Sequence, residues 1–320
     1  GKPFNDSYAE RLDRMQTFVR AYTSPSGQAA QFGDNDGGRL LWSGIGDPGD
    51  HRYLLKEAPG FGGRANQMLL TGGRCLQASG ERHAFERGGY WFGQVGKAWL
   101  GVRAGVVSHG GAHAHADQLS FVLSINGCDV IVDPGTGTYS ADAEKRNTYR
   151  SSASHNAPRL NEWEANGFQA GLAGLFRMAD DTRCEVLRWD LTADRLEFEA
   201  RHHGFSRFRG GSVVTRSLRL SSDSLEVVDI VSSQDAGDVV DWSFRFAPGI
   251  SVETVAGNAI VRSEGIDLRF CVAEPVHLSA ADAPFSPTYG KEIPVRALHL
   301  RREVERRGDS EYRMTLSWKE

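Results

Sequence analysis

The sequence predicts a mainly β protein, a large antiparallel β-sandwich preceded by a short α-helical segment. From about residue 83, short runs of alternating apolar and polar residues such as SVVTRSLRLSS are separated by Gly, Asn, Asp and Ser turns. Near the N-terminus, apolar residues instead recur at spacings of three and four. The two periodicities predict a helical segment over residues 1–75 and a β-sandwich over residues 76–320, longer than an ordinary immunoglobulin-like domain.

The helical segment is predicted to contain one long helix, from about residue 7 to residue 22. Its apolar stripe consists of Tyr8, Leu12, Met15, Val19 and Tyr22. Ser7 followed by Glu10 has the spacing of a capping box. Shorter apolar pieces near residues 53–56 and 65–70 are also compatible with helix.

The loop after this helix contains the run Asp34-Asn35-Asp36-Gly37. This run begins like a calcium-binding loop, but no third acidic ligand or closing Glu follows at the spacing such a loop needs. The sequence therefore predicts a turn here.

Composition excludes several classes of function. The 37 basic and 41 acidic residues of the 320-residue chain give a net charge of -4, and no Lys/Arg-rich run provides a footprint for nucleic acid. No stretch approaches the roughly 20 apolar residues of a membrane span. The four cysteines show no CxxC spacing, so we expect buried thiols rather than a zinc knuckle. Because the chain starts with Gly1, we expect it to be a piece of a longer protein.

Three histidines, His109, His113 and His115, lie within seven positions in the stretch SHGGAHAHADQLSF. Imidazole nitrogens together with a carboxylate oxygen suit a borderline metal such as zinc. A His-x-His pair followed by Asp133 and His155 supplies three or four such ligands. The clustering therefore favours a binding site over an ordinary surface loop.

A β-hairpin follows the histidines directly. Asn126-Gly127 stands between the alternating runs LSFVLSI and CDVIVDPG, which is a strong hairpin pattern. A two-residue turn there predicts the pairs Ile125–Cys128, Phe121–Val132 and Ser120–Asp133. Asp133 then lies at the histidine end of the hairpin, and strand parity requires residues 112–117 to form a loop or bulge.

Two other motifs share part of this pattern. The HxHxDH motif of metallo-β-lactamase-type hydrolases requires a histidine where this chain has Gln118, and a helix where this chain has a strand pattern. A cupin HxH is followed three or four residues later by Glu, where this chain has Gln118 and Leu119. A metallo-hydrolase is therefore the less favoured alternative.

The ordered set SHGGAHAHADQLSFVLSINGCDVIVDPGTGTY followed by RSSASHN resembles the C-terminal β-domain of the heparinase II/III-like polysaccharide lyases. With FGDNDGGRLL and GGYWFGQVGKAWLGVRAG, the resemblance covers at least residues 30–170. It implies an α/α toroid packed on a large β-sandwich, with a sugar chain in the cleft between them. Residues 1–75 would be only the last helices of that toroid.

The resemblance also implies roles for individual residues. His115, Asp133 and His155 match positions that bind a divalent ion, for which zinc is expected here. His113 matches the histidine that faces the substrate, and Tyr139 resembles a tyrosine found near the site in some members; both are catalytic candidates. After His155, the segment HNAPRLNEWEANG departs from the HNT and Asp-Gly turn of many members, so substrate contacts there are not transferred.

The implied activity is β-elimination of a uronic-acid-containing polysaccharide. Additional candidate substrate contacts are Arg150, through a substrate carboxylate, and His202 and His203 in EARHHGFSRF. The alternative from another class is a non-catalytic polysaccharide-binding or exopolysaccharide-assembly module. The expected partner in either case is an acidic polysaccharide, and a periplasmic or secreted location is favoured over the cytoplasm.

Overall fold

The computed structural model describes residues 6–37, 47–54, 82–107, 109–209 and 211–319. The predicted N-terminal helix is confirmed as α1, Asp6–Tyr22. It begins one residue before Ser7, which therefore lies in the first turn and not at the cap. A 3₁₀ turn covers Arg52–Leu54, whereas the predicted helical piece at 65–70 and the boundary near residue 75 lie outside the described residues.

The prediction of a mainly β, antiparallel architecture is confirmed. Strands β1 to β5 form one sheet in sequential order; a second sheet has the order β12-β13-β14-β17-β10-β9-β8-β7, and a third has the order β15-β16-β11-β6. The strands are β1 His83–Phe85, β2 Tyr90–Val95, β3 Ala98–Arg103, β4 Phe121–Ile125, β5 Cys128–Ile131, β6 Arg159–Leu160, β7 Glu185–Leu191, β8 Leu196–His202, β9 Val213–Leu220, β10 Ser224–Ser233, β11 Val239–Arg245, β12 Ser251–Val255, β13 Asn258–Ser263, β14 Ile266–Val272, β15 His277–Thr288, β16 Lys291–Glu303 and β17 Gly308–Trp318.

One apolar core joins the three sheets. Phe244 of β11 lies 6.2 Å from Phe121 of β4 and 5.0 Å from Phe270 of β14, measured between ring centroids. An isolated antiparallel bridge between Ile131 and Phe246 connects β5, the edge strand of the first sheet, to the end of β11 in the third sheet. These two sheets thus form one layer that packs against the eight-stranded sheet, as aligned sandwiches do.

The hairpin between β4 and β5 has the predicted turn but not the predicted register throughout. Asn126 (φ 54°) and Gly127 (φ 78°) are both in the left-handed region, as a type I′ turn requires. Ile125 pairs with Cys128 as predicted, but a register shift then places Leu123 opposite Ile131. The predicted pairs Phe121–Val132 and Ser120–Asp133 are therefore wrong, because a β-bulge adds one residue on the β5 side.

The N-terminal segment packs on the outer face of the first sheet. Phe18 of α1 contacts Phe85 at 4.9 Å between ring centroids, and Phe32 belongs to the same small apolar cluster as Phe92. Ser24 and Ser26 donate hydrogen bonds of 2.8 Å to the two carboxylate oxygens of Asp129 on β5. This docking carries residues 33–36 along the sheet to the loop that holds the predicted histidines.

A second helix, α2, covers Ala143–Arg150 and was not predicted. Asp142 caps it by accepting a 2.9 Å hydrogen bond from the backbone N–H of Lys145. Of the cysteines within the described ranges, Cys128 and Cys184 are partly buried and Cys271 is exposed, so the expectation of a buried thiol is wrong for Cys271. No helix in these ranges is long and apolar enough to cross a membrane.

Candidate active site

The loop that carries His113 and His115 is shaped by residues with positive φ. Gly110 and Gly111 have φ values of 70° and 69°, and a Cβ at Gly111 would lie 2.6 Å from the Cβ of Met178. The backbone N–H of Ala116 donates a 2.8 Å hydrogen bond to the carbonyl of Arg150 at the end of α2. The chain therefore leaves the regular strand before β4, and the loop predicted for residues 112–117 is confirmed.

Asp34 lies between His113 and His115. Its Oδ2 is 3.1 Å from Nδ1 of His113, and its Oδ1 is 2.9 Å from Nε2 of His115. The side chain of His113 is 65% exposed, whereas that of His115 is 0% exposed. One carboxylate thus holds two histidines by different ring nitrogens, one facing solvent and one inside the protein.

Arg146 of α2 completes this arrangement. Its two terminal nitrogens bind the two oxygens of Asp34, with Nη2 at 2.7 Å from Oδ2, and its side chain is fully buried. Burial disfavours the charged carboxylate, but hydrogen bonds and charges from His115 and Arg146 outweigh it and lower the pKa of Asp34. Asp34 is therefore ionised near neutral pH and accepts the N–H of each histidine.

His155 is paired with Asp133 at the other side of His115. Nδ1 of His155 lies 2.9 Å from Oδ2 of Asp133. The next residue, Asn156, fixes this segment because its side chain exchanges two hydrogen bonds with the backbone of Phe121, at 3.0 and 2.7 Å. Burial alone would lower the pKa of His155, but the charge and hydrogen bond of Asp133 raise it.

The rings of His115 and His155 are 5.5 Å apart between centroids. Each has one buried nitrogen without a hydrogen-bond partner, Nδ1 of His115 and Nε2 of His155. Oδ1 of Asp117 is also buried without a hydrogen bond, although Nε of Arg103 lies 3.6 Å from it. Within the described residues, no group of three or more His, Cys, Asp or Glu side chains is arranged to hold a metal ion. The metal site of His115, Asp133 and His155 stays a prediction.

Aromatic side chains line one side of His113. Tyr139 lies 6.2 Å from His113 between ring centroids, and Phe176 lies 6.5 Å from it. Tyr289 lies 4.8 Å from Tyr139. The turn between β15 and β16 brings Tyr289 there, because Gly290 donates a 2.8 Å backbone hydrogen bond to Gly137. Tyr139, Phe176 and Tyr289 form what we call the aromatic wall.

Two nearby carboxylates and the guanidinium of Arg146 act on Tyr139 in addition to the neighbouring rings. Burial raises its pKa to about 12, and the carboxylates of Asp34 and Asp36 contribute in the same direction. Tyr139 is consequently a neutral phenol at physiological pH. Such a group can donate a proton but is rarely a phenolate.

The three residues predicted to contact substrate, Arg150, His202 and His203, make contacts outside the cluster around Asp34. Arg150 is fully buried, and its guanidinium donates hydrogen bonds to the backbone carbonyls of Gly174, Leu175 and Arg177. His202 is buried and accepts a 3.1 Å hydrogen bond from Gly204 N–H. His203 has Nε2 3.8 Å from the carboxylate of Glu185. These contacts give Arg150 and His202 structural functions, and substrate binding by the three residues stays a prediction.

Four residues of the site were not identified from the sequence, namely Asp34, Arg146, Phe176 and Tyr289. Asp34 lies in a run that was interpreted as a turn, although that run belongs to the FGDNDGG segment of the resemblance. Arg146 belongs to a short polar helix without a motif. Nothing in the local sequence pattern distinguishes Phe176 or Tyr289 from other aromatic residues.

Comparison with known proteins decides the family. The family model "Heparinase II/III-like, C-terminal" matches residues 77–319. The chain belongs to this family. No curated protein matches it. The resemblance inferred from the histidine segment is thus confirmed over nearly the whole heparinase II/III-like β-domain.

Several solved structures superimpose on this chain. The heparan sulfate lyase HepC of Pedobacter heparinus superimposes with a TM-score of 0.72 at 14% identity, covering 99% of this chain and 48% of that chain. The heparinase III BT4657 gene product gives 0.72 at 14% identity, covering 99% and 47%. A further heparinase III gives 0.69 at 13% identity, covering 98% and 49%. This heparinase II/III-like chain therefore spans about half the length of these structures and shares their fold.

Proposed function

We propose that the protein containing this chain is a polysaccharide lyase that cleaves a uronic-acid-containing polysaccharide by β-elimination. Its family and the names of the structures with the same fold support this class of reaction. The observation that carries the proposal for this chain is the exposed His113, held at Nδ1 by a buried carboxylate and flanked by Tyr139. An imidazole anchored on one side and open on the other suits proton transfer to a bound ligand.

The reaction removes the weakly acidic proton on the ring carbon next to the uronate carboxylate. In our proposal Nε2 of His113 accepts this proton, because Nδ1 is occupied by Asp34. The electron pair then forms the ring double bond as the bond to the glycosidic oxygen breaks. Tyr139, whose pKa of about 12 keeps its hydroxyl protonated, donates the proton to the departing oxygen.

The aromatic wall provides a surface for the sugar rings. Tyr289 is 40% exposed, and together with Tyr139 it presents apolar ring faces beside His113. Pyranose rings pack their C–H faces on aromatic rings, and this fixes the orientation of the sugar relative to the catalytic groups. This chain supplies only one face of the cleft that the family resemblance implies.

Ultraviolet absorbance of the unsaturated product tests the proposed reaction. The full-length protein is incubated with alginate, heparan sulfate, hyaluronan and bacterial exopolysaccharides. We expect absorbance to rise with at least one uronate polymer. If no uronate polymer yields product, while His113→Ala and the wild type bind acidic polysaccharide equally, the chain is instead part of a non-catalytic binding module.

A divalent metal, with zinc as the expected ion, is part of the proposal. The donor types fit, because His115 and His155 each present one buried nitrogen without a partner. Oδ2 of Asp133 is engaged by His155, so Asp133 must either exchange that bond for the metal or orient His155 as a carboxylate behind the ligand. When bound, the metal would supply positive charge that fixes the loop beside His113.

Metal content and chelation test this part separately. Elemental analysis of the dialysed full-length protein should show about one equivalent of zinc or a similar ion. Removal by a chelator should lower the Tm, because two buried imidazoles lose a partner. A protein that contains no metal and whose Tm does not change with chelator would contradict the metal site without affecting the proposed role of His113.

A further inference from the structure

Asp34 binds three side chains of the proposed active site, His113, His115 and Arg146. It accepts from Nδ1 of His113 and Nε2 of His115, and both of its oxygens are bound by Arg146. Its own side chain is 1% exposed. A buried carboxylate with a dedicated cation keeps its position and its charge, so it can set the orientation of the two imidazoles.

The backbone around Asp34 is fixed as firmly as its side chain. Asp34 N–H donates a 3.0 Å hydrogen bond to the carbonyl of His113. The backbone of Asn35 exchanges two hydrogen bonds with the hydroxyl of Thr136, at 2.6 and 3.0 Å. Residues 34 and 35 are therefore held between the histidine loop and the loop that follows Asp133.

We propose that Asp34 and Arg146 are positioning residues for His113: Asp34 holds the Nδ1 proton and thereby presents the unprotonated Nε2 to the substrate. This rests on the proposed function of His113 as the base. The side chain of Arg146 is completely buried, so in this proposal it acts through Asp34 and not on the substrate. It binds Asp34 at both oxygens and stacks near Tyr139, with its guanidinium carbon 5.3 Å from the ring centroid.

The hydrogen bond with Asp34 determines the tautomer of His113. A neutral imidazole carries its proton on one nitrogen, and the hydrogen bond made by that nitrogen decides which one. An ionised carboxylate at Nδ1 can only accept, so the lone pair is left on Nε2. No hydrogen bond within the described residues engages Nε2 of His113, whose ring is exposed. That is the state a general base needs.

Asp34→Asn tests the inference with nearly unchanged shape. Each oxygen of Asp34 faces one nitrogen of Arg146 and one histidine, so in the variant one histidine faces the amide oxygen and the other faces the NH₂ group. We expect the NH₂ group opposite His113, because the exposed Nε2 of His113 can carry the proton in contact with water, whereas Nδ1 of His115 is buried without a hydrogen-bond partner. An NH₂ group opposite Nδ1 favours the tautomer with the proton on Nε2. We expect kcat on the cleaved polymer, alginate or heparan sulfate for example, to fall about 10²-fold or more while KM changes by less than about threefold.

Asp129→Asn is the matched control. Asp129 is partly buried and anchors the same N-terminal segment through Ser24 and Ser26, but it binds neither histidine. We expect this variant to keep wild-type kcat. In the double variant His113→Ala/Asp34→Asn, adding Asp34→Asn should lower kcat by less than about threefold relative to His113→Ala, because Asp34 no longer has an imidazole to position.

Histidine tautomers give a readout that needs no activity. Long-range ¹H–¹⁵N correlation spectra of the ¹⁵N-histidine-labelled full-length protein should show the proton of neutral His113 on Nδ1, with His113→Ala identifying the signal. In Asp34→Asn the proton should move towards Nε2. A neutral wild-type His113 that carries its proton on Nε2 overturns the inference, whichever polymer the protein cleaves.

Kinetics separate the inference from the proposed function. If His113→Ala keeps full activity, the proposed function of His113 is wrong. If His113→Ala is inactive but Asp34→Asn retains wild-type kcat, only the positioning inference is wrong. Should Asp34→Asn not fold, Arg146→Lys replaces it: the loss of the two-point contact should lower kcat at unchanged KM, and wild-type kcat would overturn the inference.

Discussion

His113 and His115 differ in environment although only one residue separates them. Both bind Asp34, but the ring of His113 is largely exposed and the ring of His115 is completely buried. The free nitrogen of His113 therefore faces solvent, whereas the free Nδ1 of His115 faces the buried side, where His155 lies. The first environment suits the proposed proton transfer by His113, and the second suits the proposed binding of a metal by His115.

Alanine replacements of these two histidines should therefore have different effects on turnover, metal content and Tm. His113→Ala is expected to reduce turnover by about 10² to 10⁴-fold, with metal content and Tm retained. His115→Ala is expected to reduce metal content and Tm together, with activity lost as a consequence. Metal analysis, thermal melting and turnover of both full-length variants check this. Equal loss of metal in the two variants would make His113 a ligand.

The segment that carries Asp34 is an element without regular secondary structure whose position depends on close backbone packing. Gly33 has φ of 73°, and a Cβ there would lie 2.5 Å from the carbonyl oxygen of His113. Only glycine avoids both the left-handed strain and the collision. The backbone of residues 33–35 can consequently run against the histidine loop, which is why Asp34 reaches both imidazoles.

Gly33→Ala should move this segment away from the loop. Because alanine at positive φ is strained and its methyl group meets a backbone oxygen, we expect a destabilisation of about 1 kcal/mol or more. Activity should fall further than stability alone explains, since Asp34 is displaced. Gly127→Ala is a suitable control, because Gly127 also has positive φ but its Cβ would meet nothing within 4 Å. Equal activity in the two variants would contradict this interpretation.

At the scale of the whole molecule, the sandwich core contains an ionisable group that stays neutral. His202 at the end of β8 is completely buried, and burial, followed by the charges of His203 and Arg216, lowers its pKa to about 3. The unfolded chain takes up a proton on this residue near its ordinary value of 6.5, and the folded protein does not. The contribution of neutral His202 to the free energy of unfolding is thus fully present above pH 6.5 and is lost as the pH falls towards 3.

His202→Asn removes this proton uptake and keeps an acceptor for the N–H of Gly204. At pH 7.5 the variant should have a lower Tm than the wild type, because a smaller side chain leaves a cavity. The difference in Tm should narrow as the pH is lowered from 6.5 to 4, since only the wild type loses the contribution of His202. A difference that is constant or widens over this range would refute the assignment.

Strand periodicity, helix α1, the Asn126-Gly127 turn and the family of the β-domain could all be predicted from the sequence, because each depends on short-range patterns. The residues that gather around His113 could not. Asp34, Arg146 and Tyr289 come from a loop, an unpredicted helix and a hairpin turn that are far apart along the chain. Only sheet packing and the docking of the N-terminal segment bring them together.

In the hairpin after the histidines, one feature follows from the local sequence and another does not. Its turn follows from two residues, since asparagine and glycine adopt positive φ at low cost. Its register beyond Ser124 depends on a bulge, and no local residue pattern specifies where the extra residue is placed. The sequence by itself therefore determined the candidate site residues, His113, His115 and His155 among them. The tertiary structure decided which nitrogen each histidine leaves free, because that depends on the carboxylate that packs against it.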